Sequence, residues 1–234
     1  MTGFCADVAA LFDAPVAVAA TDPRAAQPAP LPGEAAHLAT SIAKRQQEFA
    51  AGRAVARRAM VQLAGEGMET VAIPAATDRS PIWPAGWQGS ITHKSSLSLA
   101  VVGQSGAALG LDVEEGTPLA EDLIPTICST AEIARISGAQ EGALAKLIFS
   151  AKEAAYKAQF PLTGLGFGFH RLDMRLDLDA SAFEAVFTED TGGFAAGDVL
   201  RGRFCKGQGH LVTGSTIGQS ERVKPDTWTS GATC

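Results

Sequence analysis

Apolar and polar positions alternate with a period of two in several blocks, and between those blocks the period lengthens to that of a helix. Pro15 to Thr21 predicts a first strand, Leu97 to Val102 another, and Thr70 to Pro74 a short one. Leu109, Leu111 and Val113 alternate with Gly110, Asp112 and Glu114, the pattern of a strand with one aliphatic and one acidic face. Leu172 to Leu178, Phe183 to Phe187, Val199 to Phe204 and His210 to Ile217 predict a strand-rich C-terminal part, with a hairpin at Lys206-Gly207-Gln208-Gly209. A helix is expected from Thr40 or Ser41, both good caps, to Ala64, closed by Gly65, with Ile42, Phe49, Ala56, Ala59, Met60 and Leu63 as its packing stripe. A second is expected through Phe149 to Ala158, rich in Ala, Lys and Glu and free of Gly and Pro until Pro161. Pro118 to Gly142 reads as polar and helical, with a cap at Ser129. The proline-rich Asp22 to Gly33 is a loop, Gln104 to Ala107 a crossing between two halves, and the tail from Gln219 loosely held.

At 234 residues the chain is one large domain or two small lobes, and 46% apolar content supplies a real core. A net charge of −6 argues against a general nucleic-acid binder. Cys5, Cys128, Cys205 and Cys234 share no metal-ligand spacing, so a reducing cytoplasm is the simplest inference. The N-terminus has no basic region ahead of its apolar residues and is not read as a signal peptide; no apolar run approaches membrane-spanning length.

The candidate chemistry is concentrated in three places. Asp112 and Glu114 project from one strand face, where Gly110 leaves space, and with a helical carboxylate they would make a site for a hard cation such as Mg²⁺. Read alone, they are the solvated end of a strand. On the Phe149–Ala158 helix, Glu153 and Lys157 share a face, and Lys152 and Tyr156 form a second such pair; alone, these are ordinary helix supports. Lys44, Arg45, Arg53, Arg57 and Arg58 cluster on the earlier helix, which Gly52 interrupts. They form either a solvated basic face or, through Arg45 and Arg53, a phosphate site. Ser90, Thr92 and His93 could hydrogen-bond phosphate oxygens. The glycines of Pro161 to Phe169 do not form a phosphate loop, because that segment ends a helix instead of opening one. Phe167 and Phe169 pack on the core or line an apolar channel.

Taken in order, these pieces resemble the Sfp-type 4′-phosphopantetheinyl transferases, and more narrowly the enterobactin-synthetase subgroup. The matching segments are Lys44-Arg45-x-x-Glu48-Phe49-x-x-Gly52-Arg53, Arg79 with Trp83-Pro84, and Gly89-Ser90-Ile91-Thr92-His93. They continue with Gly110-Leu111-Asp112-Val113-Glu114, Phe149-Ser150-Ala151-Lys152-Glu153-x-x-Tyr156-Lys157 and Phe160-Pro161-Leu162-Thr163. Leu111 stands where isoleucine is common, and the connection after Thr163 is short.

The resemblance implies an α+β fold of two similar lobes, drawn here as residues 1–108 and 109–234, with coenzyme A in the cleft between them. It implies Mg²⁺ at Asp112, Glu114 and Glu153, and places Arg45, Arg53, Arg79 and His93 around the coenzyme A phosphates with Ser90, Thr92 and Lys152 nearby. The expected activity is of the holo-[acyl-carrier-protein] synthase type: phosphopantetheine passes from coenzyme A to a serine of an apo acyl, aryl or peptidyl carrier domain, and 3′,5′-ADP leaves. Glu153 would act as general base and Lys157 would stabilise phosphate charge. A monomer is expected. The alternative is a non-catalytic module that binds coenzyme A or docks on a carrier.

Overall fold

The computed structural model describes residues 1–35, 38, 41–104 and 106–218. Two antiparallel sheets organise the chain. The first has the order β1-β3-β2, from Val16–Thr21 (β1), Gln88–His93 (β2) and Ser98–Gly103 (β3). The second has the order β4-β8-β7-β6-β5. Its strands are Ala108–Glu115 (β4), Leu172–Asp177 (β5), Ala182–Phe187 (β6), Val199–Gly207 (β7) and His210–Ile217 (β8). One long helix serves each sheet: α2, Ala43–Ala64, lies on the first, and α5, Glu141–Thr163, on the second. Shorter helices α1 (Thr2–Ala9), α3 (Ile124–Ile127) and α4 (Thr130–Ile136) complete the order. This is the expected α+β architecture of two lobes.

Strand alternation decides how the lobes join. In β3, Ala100 and Val102 face α2 with Ala17, Ala19, Ala56 and Met60, whereas Leu99 and Val101 point the other way. There they meet Leu109, Leu111 and Val113 of β4, Val212 of β8 and the apolar face of α1, so one core is shared by both sheets. The opposite face of β4 is buried as well. Gly110, Asp112 and Glu114 face α5, and a methyl group added at Gly110 would overlap the Ala154 carbonyl oxygen. The space left by Gly110 is therefore filled by the backbone of α5. The acidic face of β4 is interior, not solvated: Asp112 is 5% and Glu114 4% exposed.

Several boundaries differ from expectation. Helix α2 begins after Ile42, which makes no side-chain cap; Thr40 lies outside the described residues. Ile42 and Leu63 of the expected stripe are exposed, while Arg53 and Arg57 are buried. Gly52 does not interrupt α2, and the absence of a side chain there lets the helix approach Ile91 of β2. Residues 70–74 form no strand. Met68–Thr70 is a short 3-10 turn, and Ile73 finds side-chain partners instead: its N–H donates to Glu34 Oε1 (2.8 Å) and its carbonyl accepts from Arg53 Nε (2.6 Å). Helix α5 runs through Pro161 to Thr163 and closes on left-handed Gly164. Ser129 caps α4 with Glu132 in a reciprocal capping box, as its spacing suggests. The hairpin between β7 and β8 turns at Gln208 and Gly209, both at positive φ. The tail from Gln219 lies outside the described residues.

Candidate active site

Helix α5 presents Lys146, Ser150, Glu153 and Lys157 at the three- and four-residue spacings of one helical face. Lys146, Ser150 and Lys157 of that face reach the acidic residues of β4. Asp112 Oδ2 accepts from Ser150 Oγ (2.9 Å), and Oδ1 accepts from Lys157 Nζ (2.7 Å) and Thr92 Oγ1 (3.3 Å). Glu114 accepts from Lys94 Nζ (2.6 Å) at Oε1 and from Lys146 Nζ (3.2 Å) at Oε2. Glu153 has neither a hydrogen bond nor an ion pair among the described residues. Its carboxyl is pushed above the ordinary glutamate range, first by burial and then by Asp112 and Glu114, against the pull of Lys157 and Lys94.

Among the described residues, no three His, Cys, Asp or Glu side chains converge on one point as a finished metal site. Lysine ammoniums hold two of the three acids instead. The donor set nonetheless suits a hard cation, because all three acids offer carboxylate oxygens, and Asp112 and Glu114 add their repulsion to the burial that raises Glu153.

Beside this cluster, between α2, β2 and the 75–81 turn, lies a cleft of about 530 Å³. Arg45, Phe49, Arg53, Arg79 and His93 line it. Arg45 and Arg79 are exposed and make no ion pair among the described residues. Arg79 holds a left-handed backbone (φ 73°) in a turn where its N–H donates to the Ala76 carbonyl. Arg53 is only 6% exposed, and its guanidinium stacks 4.3 Å over the Phe49 ring. Burial, only partly offset by Glu34, lowers Arg53 to about 10. His93 Nε2 lies 3.2 Å from Glu48; burial lowers its pKa, Glu48 raises it, and Arg45 lowers it again. A second cavity of about 550 Å³ shares Arg79, Pro81 and Ile91 with the cleft and continues to Trp83, Tyr156, Lys157 and Phe160.

Three residues expected at phosphates have other work. Lys152 lies on the core side of α5, 2% exposed, donating to Glu132 Oε2 (2.8 Å) and the Ile127 carbonyl (2.9 Å). Glu132 also accepts from Ser129 N–H (2.7 Å) and Met174 N–H (2.7 Å), so the pair pins α4, α5 and β5 together. Ser90 Oγ accepts the Leu111 N–H (3.1 Å), and Thr92 donates to Asp112, so both hydroxyls tie β2 to β4 across the lobe boundary. Sequence reasoning missed Lys94, Lys146 and Ser150 as partners of the acids. The last two were findable from the α5 spacing, but Lys94 carries no local signal. It also missed Glu34, fully buried, which accepts from Arg57 (2.6 Å) and anchors the wall behind Arg53.

Residues 33–103 match the family description "4′-phosphopantetheinyl transferase N-terminal domain", and residues 108–205 match "4′-phosphopantetheinyl transferase superfamily". The chain is 32% identical over 194 residues to the 4′-phosphopantetheinyl transferase Svp of Streptomyces mobaraensis, covering 80% of this chain and 78% of that protein. It is 34% identical over 194 residues to the 4′-phosphopantetheinyl transferase PptT of Mycobacterium tuberculosis, covering 79% and 84%. Similarity to enterobactin synthase component D of Escherichia coli (strain K12) is 36% over 129 residues, or 53% of this chain and 59% of that protein. The chain belongs to the 4′-phosphopantetheinyl transferase superfamily.

Proposed function

We propose that this 4′-phosphopantetheinyl transferase moves phosphopantetheine from coenzyme A to a serine of an apo carrier domain of a fatty-acid, nonribosomal peptide or polyketide synthase, in the manner of a holo-[acyl-carrier-protein] synthase. The observation that carries this reading is the juxtaposition of the Asp112–Glu114–Glu153 carboxylates with an arginine- and histidine-lined cleft. Arg45, Arg79 and His93 bind coenzyme A phosphates, and planar guanidinium suits phosphate oxygens. Arg53 contributes from behind, through the Phe49 wall, its Nε being committed to Ile73.

Asp112, Glu114 and Glu153 would hold Mg²⁺. When bound, the ion would offset diphosphate charge and stabilise charge on the departing phosphate. The serine oxygen forms a bond to the β-phosphorus of coenzyme A, the bond from that phosphorus to the bridging oxygen breaks, and 3′,5′-ADP leaves. Glu153 takes the serine proton. Its carboxylate, without a hydrogen bond or ion pair among the described residues, is free to accept that proton. Lys157, at the edge of the second cavity, stabilises the charge that accumulates on the bridging oxygen as it leaves with the α-phosphate. Positioning and charge stabilisation account for most of the acceleration in such transfers. The protein acts as a monomer in the cytoplasm, its two lobes supplying one complete cleft; none of the described helices is long and apolar enough to cross a membrane.

Glu153→Gln tests these roles. Transfer to an apo carrier is expected to fall at least ~100-fold while coenzyme A binding, read by calorimetry, stays within a few-fold. Unchanged transfer would remove Glu153 from the chemistry.

A further inference from the structure

Glu114 is the most heavily countered acid of the cluster. It is almost fully buried, and each of its oxygens meets a different ammonium. Lys146 comes from α5, its side chain 15% exposed. Lys94 comes from the turn between β2 and β3, where its N–H donates to the Leu97 carbonyl (2.8 Å), and its side chain is 34% exposed. With Lys157 on Asp112, three ammoniums face the three carboxylates Asp112, Glu114 and Glu153, and the cluster is formally neutral as it stands.

A divalent cation entering that group meets positive charge already in place. At such short range inside the protein, repulsion between an ammonium and a dication is large compared with thermal energy. We infer that Lys94 and Lys146 are positioning residues. They hold Glu114 ready while the site lacks its ion, and they set the affinity for the ion by competing with it for the Glu114 oxygens. Lys94 is the one that yields: it is the more exposed of the two and sits at the end of a flexible stem on a turn, so it can re-enter water at little cost. Lys146 is held along α5 and stays. A consequence is that the ion binds weakly alone and strongly with an anionic ligand, because the diphosphate supplies the negative charge that lets the neutral cluster accept two further positive charges. This inference rests on the proposed reading of Asp112, Glu114 and Glu153 as a divalent-cation site.

The test uses the full chain without coenzyme A, titrated with Mn²⁺, with the free ion followed by electron paramagnetic resonance. Lys94→Met is expected to bind Mn²⁺ about tenfold more tightly than the parent chain. Lys94→Arg keeps the charge and is expected to stay within about twofold of it. Asp112→Asn is included to report on the cation site itself. Unchanged or weaker Mn²⁺ binding by Lys94→Met, with binding still lost in Asp112→Asn, would overturn the competition while leaving the cation site standing. Equal tightening by Lys94→Arg would also overturn it, since charge would then not be the cause. Absence of saturable Mn²⁺ binding in every protein would overturn both the inference and the cation-site reading beneath it.

Discussion

His93 and Glu48 meet in the lining of the cleft, 3.2 Å apart, and the balance of forces on the imidazole makes it a reporter of ligand charge. In the free protein burial outweighs Glu48, so the folded pKa lies below the ordinary imidazole value of about 6.5. As pH falls through that value, the unfolded chain takes up the proton first, so His93 contributes stability above about pH 6.5 that is lost on acidification toward its folded pKa. A phosphate in the cleft reverses the preference by favouring the imidazolium. Coenzyme A binding is therefore expected to take up a proton and to tighten as pH is lowered from about 8 to about 6. Calorimetry in buffers of different ionisation enthalpy measures the uptake directly, and His93→Gln should remove that part of it. The same slope in the variant would place His93 away from the ligand charge. His93 and Arg45 were recognisable in the sequence because small polar and basic residues were concentrated around them. Arg53 and Lys152 read identically there, yet the fold buries both. Their partners, the Ile73 carbonyl and Glu132, are about twenty positions away in the chain, beyond any local pattern.

Helix α5 against strand β4 is the element pair on which the site depends. Its close approach is set at Gly110, where any side chain would run into the Ala154 carbonyl. Gly110→Ala is expected to destabilise the chain by several kcal/mol, since the clash is with backbone and a well-packed core cannot open to relieve it. The decline in urea midpoint should be matched by loss of transfer, because α5 carries Glu153. On its other face α5 is fixed by the Lys152–Glu132 pair. Lys152→Met leaves a buried carboxylate without its cation and should cost about 3–5 kcal/mol in urea unfolding. The dissociation constant for coenzyme A should not change. A weakened coenzyme A affinity at unchanged stability would return Lys152 to the phosphate site. The alternation of β4 and the α5 spacing were plain in the sequence. What alternation could not reveal was that both faces of β4 are covered, which converts an apparently solvated acidic edge into an interior charge cluster.

At the scale of the molecule, two helix-on-sheet lobes close around one seam, and nearly everything assigned to chemistry touches it. Ser90 and Thr92 bond β2 to β4, Leu99 and Val101 share a core with Leu109, Leu111 and Val113, and the cavities run along the junction from α2 to α5. The individual strands and helices were legible from their periods, and the two-lobed α+β organisation from the resemblance that the ordered motifs carry. The seam was not, because hydroxyls that read as phosphate ligands are spent on joining the lobes. A seam built in this way is expected to perform a transfer. Intact mass spectrometry of an apo carrier domain, incubated with the chain, coenzyme A and Mg²⁺, measures it most directly. A gain of one phosphopantetheine on the carrier, abolished by EDTA, is expected. No gain on a fatty-acid, a peptidyl or an aryl carrier, with coenzyme A still bound to the chain, would contradict it.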